Sequence, residues 1–459
     1  MFSKYKKIHF IGIGGIGISA LAKWAVLENV KVSGSDIFRS QITNDLENMG
    51  AKIFIGHKKE NISNDVDLII YSFAVPKDNV ERKNKIKQLS YFEALGEATK
   101  GKDVIAVSGT NGKSTTTAML GKVLLDAGMD PTIIIGSKVD AFRYGNFHLG
   151  KSNLFLLEAC EHNAHMLLLH PNKIVLTNIE EDHLDFYKNL KNILKTFKEY
   201  INKVDNNFLV YNLDDKNTCD IVSSGISYGV SDNADYRFTN RHIENEKQIF
   251  TVFNGDKMLG EVVLKIPGLF NVYNAMAGII MAMTLGIEFE IIKKSLLGFN
   301  GLWRRFEYVG KFNGADIISD YGHHPSAIKG TLLATREFFT SKRIVLAFEP
   351  HQHHRTKALF ADFVRSFDNA DVLILSEIYN VEGRMEDVDK DISSKKLSEA
   401  VLKYWESSEL KIDDKKIFYS KDLEETKEIL KDIIKKGDIV LIMGAGNIDR
   451  VAREICNNL

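Results

Sequence analysis

Cysteine is scarce in this chain. There are three in 459 residues, at 160, 219 and 456, with no paired spacing. That excludes a disulfide framework and a cysteine zinc cluster, and it fits a reducing compartment. An excess of one charge is missing too: 60 basic residues face 61 acidic ones, so neither a nucleic-acid partner nor a membrane surface is indicated. The longest apolar run, Ala275 to Met283, falls short of the ~20 residues a membrane helix needs. Met1 to His9 is basic but lacks the apolar stretch of a secretory signal. No internal repeat, low-complexity tract or proline- or serine-rich linker interrupts the chain. The expectation is a cytoplasmic, unprocessed protein of about three domains, at ~150 residues each.

What the chain has is centred on Val104 to Ala127. A short apolar run, Val104 to Val107, ends in Ser108-Gly109-Thr110-Asn111-Gly112-Lys113-Ser114-Thr115, and a helical pattern then runs to Ala127. This order predicts strand, phosphate loop and helix. The two glycines let backbone N–H groups converge, the helix offers its positive end, Lys113 reaches terminal phosphates, and Ser114 supplies an oxygen to Mg2+. Two residues separate the glycines where the common loop has four, so the loop is a variant. The ligand it predicts is a nucleoside triphosphate.

A second glycine loop lies near the N-terminus. The strand Ile8 to Ile11 leads into Gly12-Ile13-Gly14-Gly15-Ile16-Gly17 and a helix to about Glu28, and Asp36 follows the next strand. Formally this is a dinucleotide fingerprint and suggests NAD, but the same geometry serves any ligand with a pyrophosphate and a ribose, including a nucleotide sugar. Strand and helix patterns keep alternating to the C-terminus, except that residues 226 to 266 alternate apolar and polar around Asn254-Gly255-Asp256. The reading is an α/β protein of three domains. These are a Rossmann-like N-terminal domain (1–100), a P-loop central α/β domain with a small antiparallel patch (101–312), and a C-terminal Rossmann-like α/β domain (313–459).

Several residues sit where chemistry is done in such sheets. Glu158 ends a predicted strand, and His183 follows another within Asn178 to Asp185. Together with Ser114 they place a carboxylate, an imidazole and a hydroxyl at one sheet edge, although imidazole is an unusual Mg2+ ligand. A lone glutamate or histidine is ordinarily just solvated; proximity to a phosphate loop singles these two out. Asn271 and Asn274 open a buried helix, where they either face a base or cap. Trp303-Arg304-Arg305-Phe306 offers cations. Asp320-Tyr321-Gly322-His323-His324-Pro325 and Glu349-Pro350-His351-Gln352-His353-His354-Arg355-Thr356 are dense in histidine. They lie in loops without i, i+4 spacing or cysteine partners, which disfavours structural zinc.

Taken together, Gly109 to Thr117, Asn178 to Asp185 and Asp320 to Pro325, behind Gly12 to Ala22, resemble the Mur ligases of peptidoglycan synthesis over nearly the whole chain. The resemblance implies that the first domain holds a UDP-sugar, the central domain ATP, and the third an incoming amino acid. It points to the branch that joins L-alanine to UDP-N-acetylmuramate with ATP and Mg2+. By this resemblance Gly14, Gly15, Ile16, Asp36 and Ser72 contact the UDP part. Gly109, Thr110, Asn111, Gly112, Lys113, Ser114, Thr115, Asn271, Asn274, Arg305 and Asp320 contact ATP. Lys113, Glu158 and His183 are the catalytic set; Ser114, Glu158 and His183 hold Mg2+; and His324, His351 and Arg355 take the amino acid. The chain departs from that branch at Asn111, at Glu158 to Asn163 and at Gln352, and Lys198 is not carried over as a modified lysine. Two other readings stay open: a recycling ligase that adds a preformed peptide to the same sugar, and an NAD-dependent oxidoreductase. A small-molecule enzyme with no nucleic acid and no membrane partner, as a monomer or homodimer, completes the expectation.

Overall fold

The structure is a computed structural model that describes residues 1–379, 391–408 and 415–457. It divides into two compact units. The first comprises residues 1–240, 250–262 and 273–299, and the second residues 241–249, 263–272 and 300–459. No helix among the described residues is long and apolar enough to cross a membrane.

The first unit begins with a five-stranded sheet in the order Lys52–Ile55, Lys31–Asp36, Lys7–Ile11, Leu68–Tyr71, Gln88–Ser90. Every neighbouring pair is parallel. Lys7–Ile11 sits in the middle with four successive buried residues, as a strand covered on both faces requires. The helix Ile16–Leu27 leaves it through the glycine loop and buries Trp24 at 2% exposure. A single apolar core runs from Ile8 and Trp24 through Phe147 and Phe155 to Phe197, so the N-terminal sheet and the next share one interior.

That next sheet has ten strands. Its phosphate-loop strand, Asp103–Ser108, lies between Leu154–Glu158 and Lys173–Leu176, both parallel to it. Parallel neighbours end at the same edge, so the segments after these three strands emerge together. Ile226–Gly229, expected in the antiparallel patch, instead runs parallel to Leu209–Asn212 and to Tyr236–Glu244. In the short connection to Tyr236–Glu244, the Asp235 carboxylate accepts from the Ser227 N–H at 2.8 Å. The patch is therefore the three strands Tyr236–Glu244, Lys247–Asn254 and Lys257–Leu264. The first two join through Asn245 and Glu246, both at positive φ, as a tight hairpin turn needs.

The second unit carries a six-stranded sheet in the order Glu307–Phe312, Ala315–Asp320, Ile439–Met443, Ile344–Phe348, Val372–Ser376, Lys416–Ser420. All pairs are parallel except the first. This sheet thus begins at Glu307, ahead of residue 313. Two short helices, His353–Ala358 and Phe360–Val364, follow the strand Ile344–Phe348.

Candidate active site

The phosphate loop is shaped by its glycines and by the segment after Leu176. Gly109 has φ +134°, and a Cβ there would lie 2.1 Å from Thr177 Oγ1, so only glycine fits. Gly112 has φ +85°, and a Cβ would lie 2.2 Å from Asn274 Oδ1, which brings Asn274 against the loop. The Thr110 N–H donates to the Asn178 carbonyl at 2.9 Å, and the Asn111 N–H donates to Asn178 Oδ1 at 3.0 Å. Asn111 Nδ2 reaches Glu180 Oε2 at 3.1 Å. Thr177, Asn178 and Glu180 thus fix the loop from outside, a role the sequence left unassigned.

Lys113 opens the helix Lys113–Asp126. Its Nζ donates to the carbonyls of Gly109 and Thr110 at 2.6 and 3.0 Å and to Glu161 Oε1 at 3.0 Å. Burial works against the ammonium, but the acidic groups around it, Glu161 foremost, together hold the Lys113 pKa above its ordinary value. Ser114 Oγ donates to Glu158 Oε2 at 3.0 Å, and the Gly136 N–H donates to Glu158 Oε1 at 2.6 Å. Ser114 and Glu158 are therefore together, as expected. Thr115, next on the helix, is buried.

His183 belongs to a neighbouring group. Its Nε2 lies 3.8 Å from Glu161 and 3.7 Å from Asp182, and these three residues offer ligand atoms all within 4.8 Å of one another. Glu161 Oε2 is buried and outside hydrogen-bond geometry, although Lys113 Nζ is 2.8 Å away. Two carboxylates with Ser114 and Glu158 nearby suit a hard cation such as Mg2+. The imidazole in the set is more at home with a softer divalent ion. Tyr187 donates its hydroxyl to the Glu161 carbonyl, and Asn163 and Ala164 take the left-handed conformation at φ 51° and 57°. That turn aims His162 so that its ring centre is 4.4 Å from that of His183. Burial pushes the Cys160 thiol up to about 12, away from the thiolate form. Glu161 and Asp182 were missed; the one local signal was that Asp182 directly precedes His183.

At the N-terminal sheet, the Gly14 N–H donates to Asp36 Oδ2 at 2.8 Å. Gly12, at φ +76°, packs its Cα face on Ser72, whose N–H donates to Ile11 O at 2.9 Å. Gly15 caps the helix that begins with Ile16. All five expected residues of this loop thus meet at one strand edge.

In the second unit, Asn271 Nδ2 donates to the Pro267 carbonyl at 2.7 Å, holding the start of its helix. Arg304 and Phe306 both have positive φ, and Arg304 is buried while Arg305 is exposed. Arg304 donates to the carbonyls of Gly444 and Gly446; Arg305 lies 5.0 Å above the Tyr321 ring. Asp320 accepts from the Gly322 N–H at 2.6 Å and the Phe306 N–H at 2.8 Å. Burial raises its pKa against the opposing pull of Arg305.

His351 Nδ1 is 3.4 Å from Arg355 Nη1, and its ring stacks on Tyr379 at 5.6 Å. His324 caps its own helix: as N-cap of Pro325–Phe338 it accepts from the Ser326 N–H at 3.4 Å. His323 is the residue that comes to His351, at 5.8 Å between ring centres. Burial, then the adjacent Arg355, pulls its pKa down to about 3, so it is a neutral imidazole. Pro325 at the first helical position was the signal, because it makes residue 324 the cap.

Fold and site together define an α/β enzyme of the phosphate-loop class, in which a lysine, a hydroxyl and a group of carboxylates surround the loop. Three family descriptions match the chain in series. They are "Mur ligase family, catalytic domain" over residues 7–103, "Mur ligase middle domain" over 107–282 and "Mur ligase, glutamate ligase domain" over 304–446. The UDP-N-acetylmuramate--L-alanine ligase of Geobacter sp. (strain M21) is 40% identical over 461 residues, 98% of this chain and 97% of that protein. The ligase of the same name from Clostridium acetobutylicum is 40% identical over 462 residues, 97% of this chain and 96% of that protein. Among solved structures, the UDP-N-acetylmuramate-alanine ligase of Thermotoga maritima superposes with a TM-score of 0.85 at 27% identity, over 98% of each chain. The chain belongs to the Mur ligase family.

Proposed function

We propose that this chain is the ATP-dependent ligase that joins L-alanine to the lactyl carboxylate of UDP-N-acetylmuramate, in the cytoplasm, as a monomer or homodimer. One observation carries the reading. Lys113, Ser114 and Glu158 converge with Glu161 and His183 at the edge where three parallel strands end. The names and near-complete overlap of the relatives support the choice of substrates. The oxidoreductase reading of the first glycine loop gains nothing from the family.

A carboxylate is a poor electrophile, so it must first be activated. Transfer of the γ-phosphoryl group of ATP to the lactyl oxygen gives an acyl phosphate and ADP. Attack by the amine of alanine then forms the amide, expels phosphate and releases a proton. Lys113 offsets the charge gathering on the transferring group, and the N–H groups of Gly112 to Thr115, at the start of the helix, cradle the phosphates. Ser114, Glu158 and His183, with Glu161 and Asp182 beside them, would hold Mg2+, which supplies further charge compensation when bound. Asn271, Asn274, Arg305 and Asp320 are assigned to ATP, and Gly14, Gly15, Ile16, Asp36 and Ser72 to the UDP moiety. Arg355 is the partner of the alanine carboxylate, beside His351 and the neutral His323.

Phosphate release measured with ATP, UDP-N-acetylmuramate and a panel of amino acids and short peptides tests this. Release with L-alanine is expected. Release with a tripeptide and not with alanine would replace this reading by the recycling ligase.

A further inference from the structure

The helix Ile16–Leu27 starts at the first glycine loop and touches the central sheet through two side chains in succession. Lys23 is 4% exposed. Its Nζ donates to the Tyr144 carbonyl at 2.8 Å and to Asn146 Oδ1 at 2.6 Å. With its oxygen held by an ammonium, Asn146 can turn only its amide nitrogen the other way. That nitrogen donates to the Ile16 carbonyl at 2.5 Å and to Ser19 Oγ at 3.0 Å. Burial pulls Lys23 down to about 8, so an ammonium is kept here at a cost that these acceptors offset. Trp24 closes the contact, with ring centres 5.9 Å from Phe147 and 5.6 Å from Phe155.

The segment that carries Asn146 runs straight to the carboxylate beside the phosphate loop. The Asn146 carbonyl accepts from the Ile135 N–H at 3.1 Å, and the next residue, Gly136, donates its N–H to Glu158 Oε1 at 2.6 Å. Three hydrogen bonds, Ile16 to Asn146, Asn146 to Ile135 and Gly136 to Glu158, therefore join the first residue of the N-terminal helix to Glu158.

We propose that Lys23 and Asn146 are positioning residues: they hold the ligand-gripping end of helix Ile16–Leu27 in register with Glu158, so that the sugar carboxylate meets the phosphoryl group at reacting distance. This rests on reading Gly14 to Ile16 as the UDP-sugar grip. Reacting atoms must approach to about 3–3.5 Å, and a ~1 Å misplacement costs roughly a hundredfold in rate.

In the full chain, Asn146→Asp keeps the contact to Lys23 and sets a carboxylate oxygen against the Ile16 carbonyl. Lys23→Met keeps the aliphatic stem and lets the amide turn over. Both are expected to lower kcat at saturating substrates by about tenfold to a hundredfold, Asn146→Asp the more strongly, with KM for ATP and calorimetric ADP affinity unchanged. Wild-type kcat in both variants overturns the proposal. So does a lower melting temperature with unchanged kcat in the folded fraction, the mark of a purely structural contact. Gly14→Val tests the foundation by calorimetry with UDP-N-acetylmuramate. Lost binding there upholds the grip, leaving the clasp to stand or fall on its own variants; retained binding removes the grip and the proposal with it.

Discussion

Replacing Lys113 by methionine keeps the stem, removes the ammonium and leaves the Glu161 carboxylate, 5% exposed, without its countercharge 2.8 Å away. Removing one partner of a buried pair costs about 3–5 kcal/mol. The Lys113 side chain is 16% exposed, and water reaching it places the loss at the lower end, about 3 kcal/mol. At roughly 2 °C per kcal/mol for a unit of this size, the first unit should unfold about 6 °C earlier in a calorimetric scan. Adding Glu161→Gln should restore most of that loss, since a neutral amide needs no cation. Phosphate release should behave differently. It should fall by about 10²–10³ in Lys113→Met and stay low in the double variant, because the amide does nothing for the phosphoryl group. Unfolding of Lys113→Met at the wild-type temperature, or no recovery with Glu161→Gln, would refute the ion pair as the support of Lys113. Undiminished turnover would remove the phosphate loop from the mechanism.

Gly109→Ala drives a Cβ to 2.1 Å from Thr177 Oγ1 and 2.9 Å from the Asn178 carbonyl. ATP affinity measured by calorimetry should fall about fivefold to 150-fold, if ~1–3 kcal/mol of overpacking is taken from binding. Thr177→Ala should recover only part, since the carbonyl remains. His324→Ala should cost about 0.5–1 kcal/mol of stability as a lost helix cap and leave KM for the amino acid unchanged, whereas His323→Ala should raise that KM about tenfold. Burial raises Glu349 from its ordinary 4.5 to about 7. A carboxyl whose folded pKa is raised stabilises fully below its unfolded pKa, and this is lost as pH rises through the folded value. The second unit should therefore melt later near pH 5 than near pH 8, by up to about 3 kcal/mol, and Glu349→Gln should flatten that slope.

The phosphate loop, the Asp36 contact and the Ser114–Glu158 pair could be read from the chain because each depends on local spacing or on a strand end. Glu161, Thr177 and Asn178 could not, because their partners are set by strand order. Only once Leu154–Glu158 and Lys173–Leu176 flank Asp103–Ser108 does Lys113 find a carboxylate 48 residues away. The clasp from Lys23 to Asn146 spans 123 residues and leaves no periodic trace. The proximity of His323 to His351 was not legible for a subtler reason: two adjacent imidazoles look alike until the proline after them decides which one caps the helix.

The second unit is not one continuous stretch of chain, since residues 241–249 and 263–272 belong with 300–459. Anyone grafting the C-terminal portion of a relative onto this protein would find that a splice at residue 300 cuts through one compact body. Interchangeable parts would have to carry those two excursions along, so recombination within this family should favour exchanges that respect them over exchanges at the apparent seam.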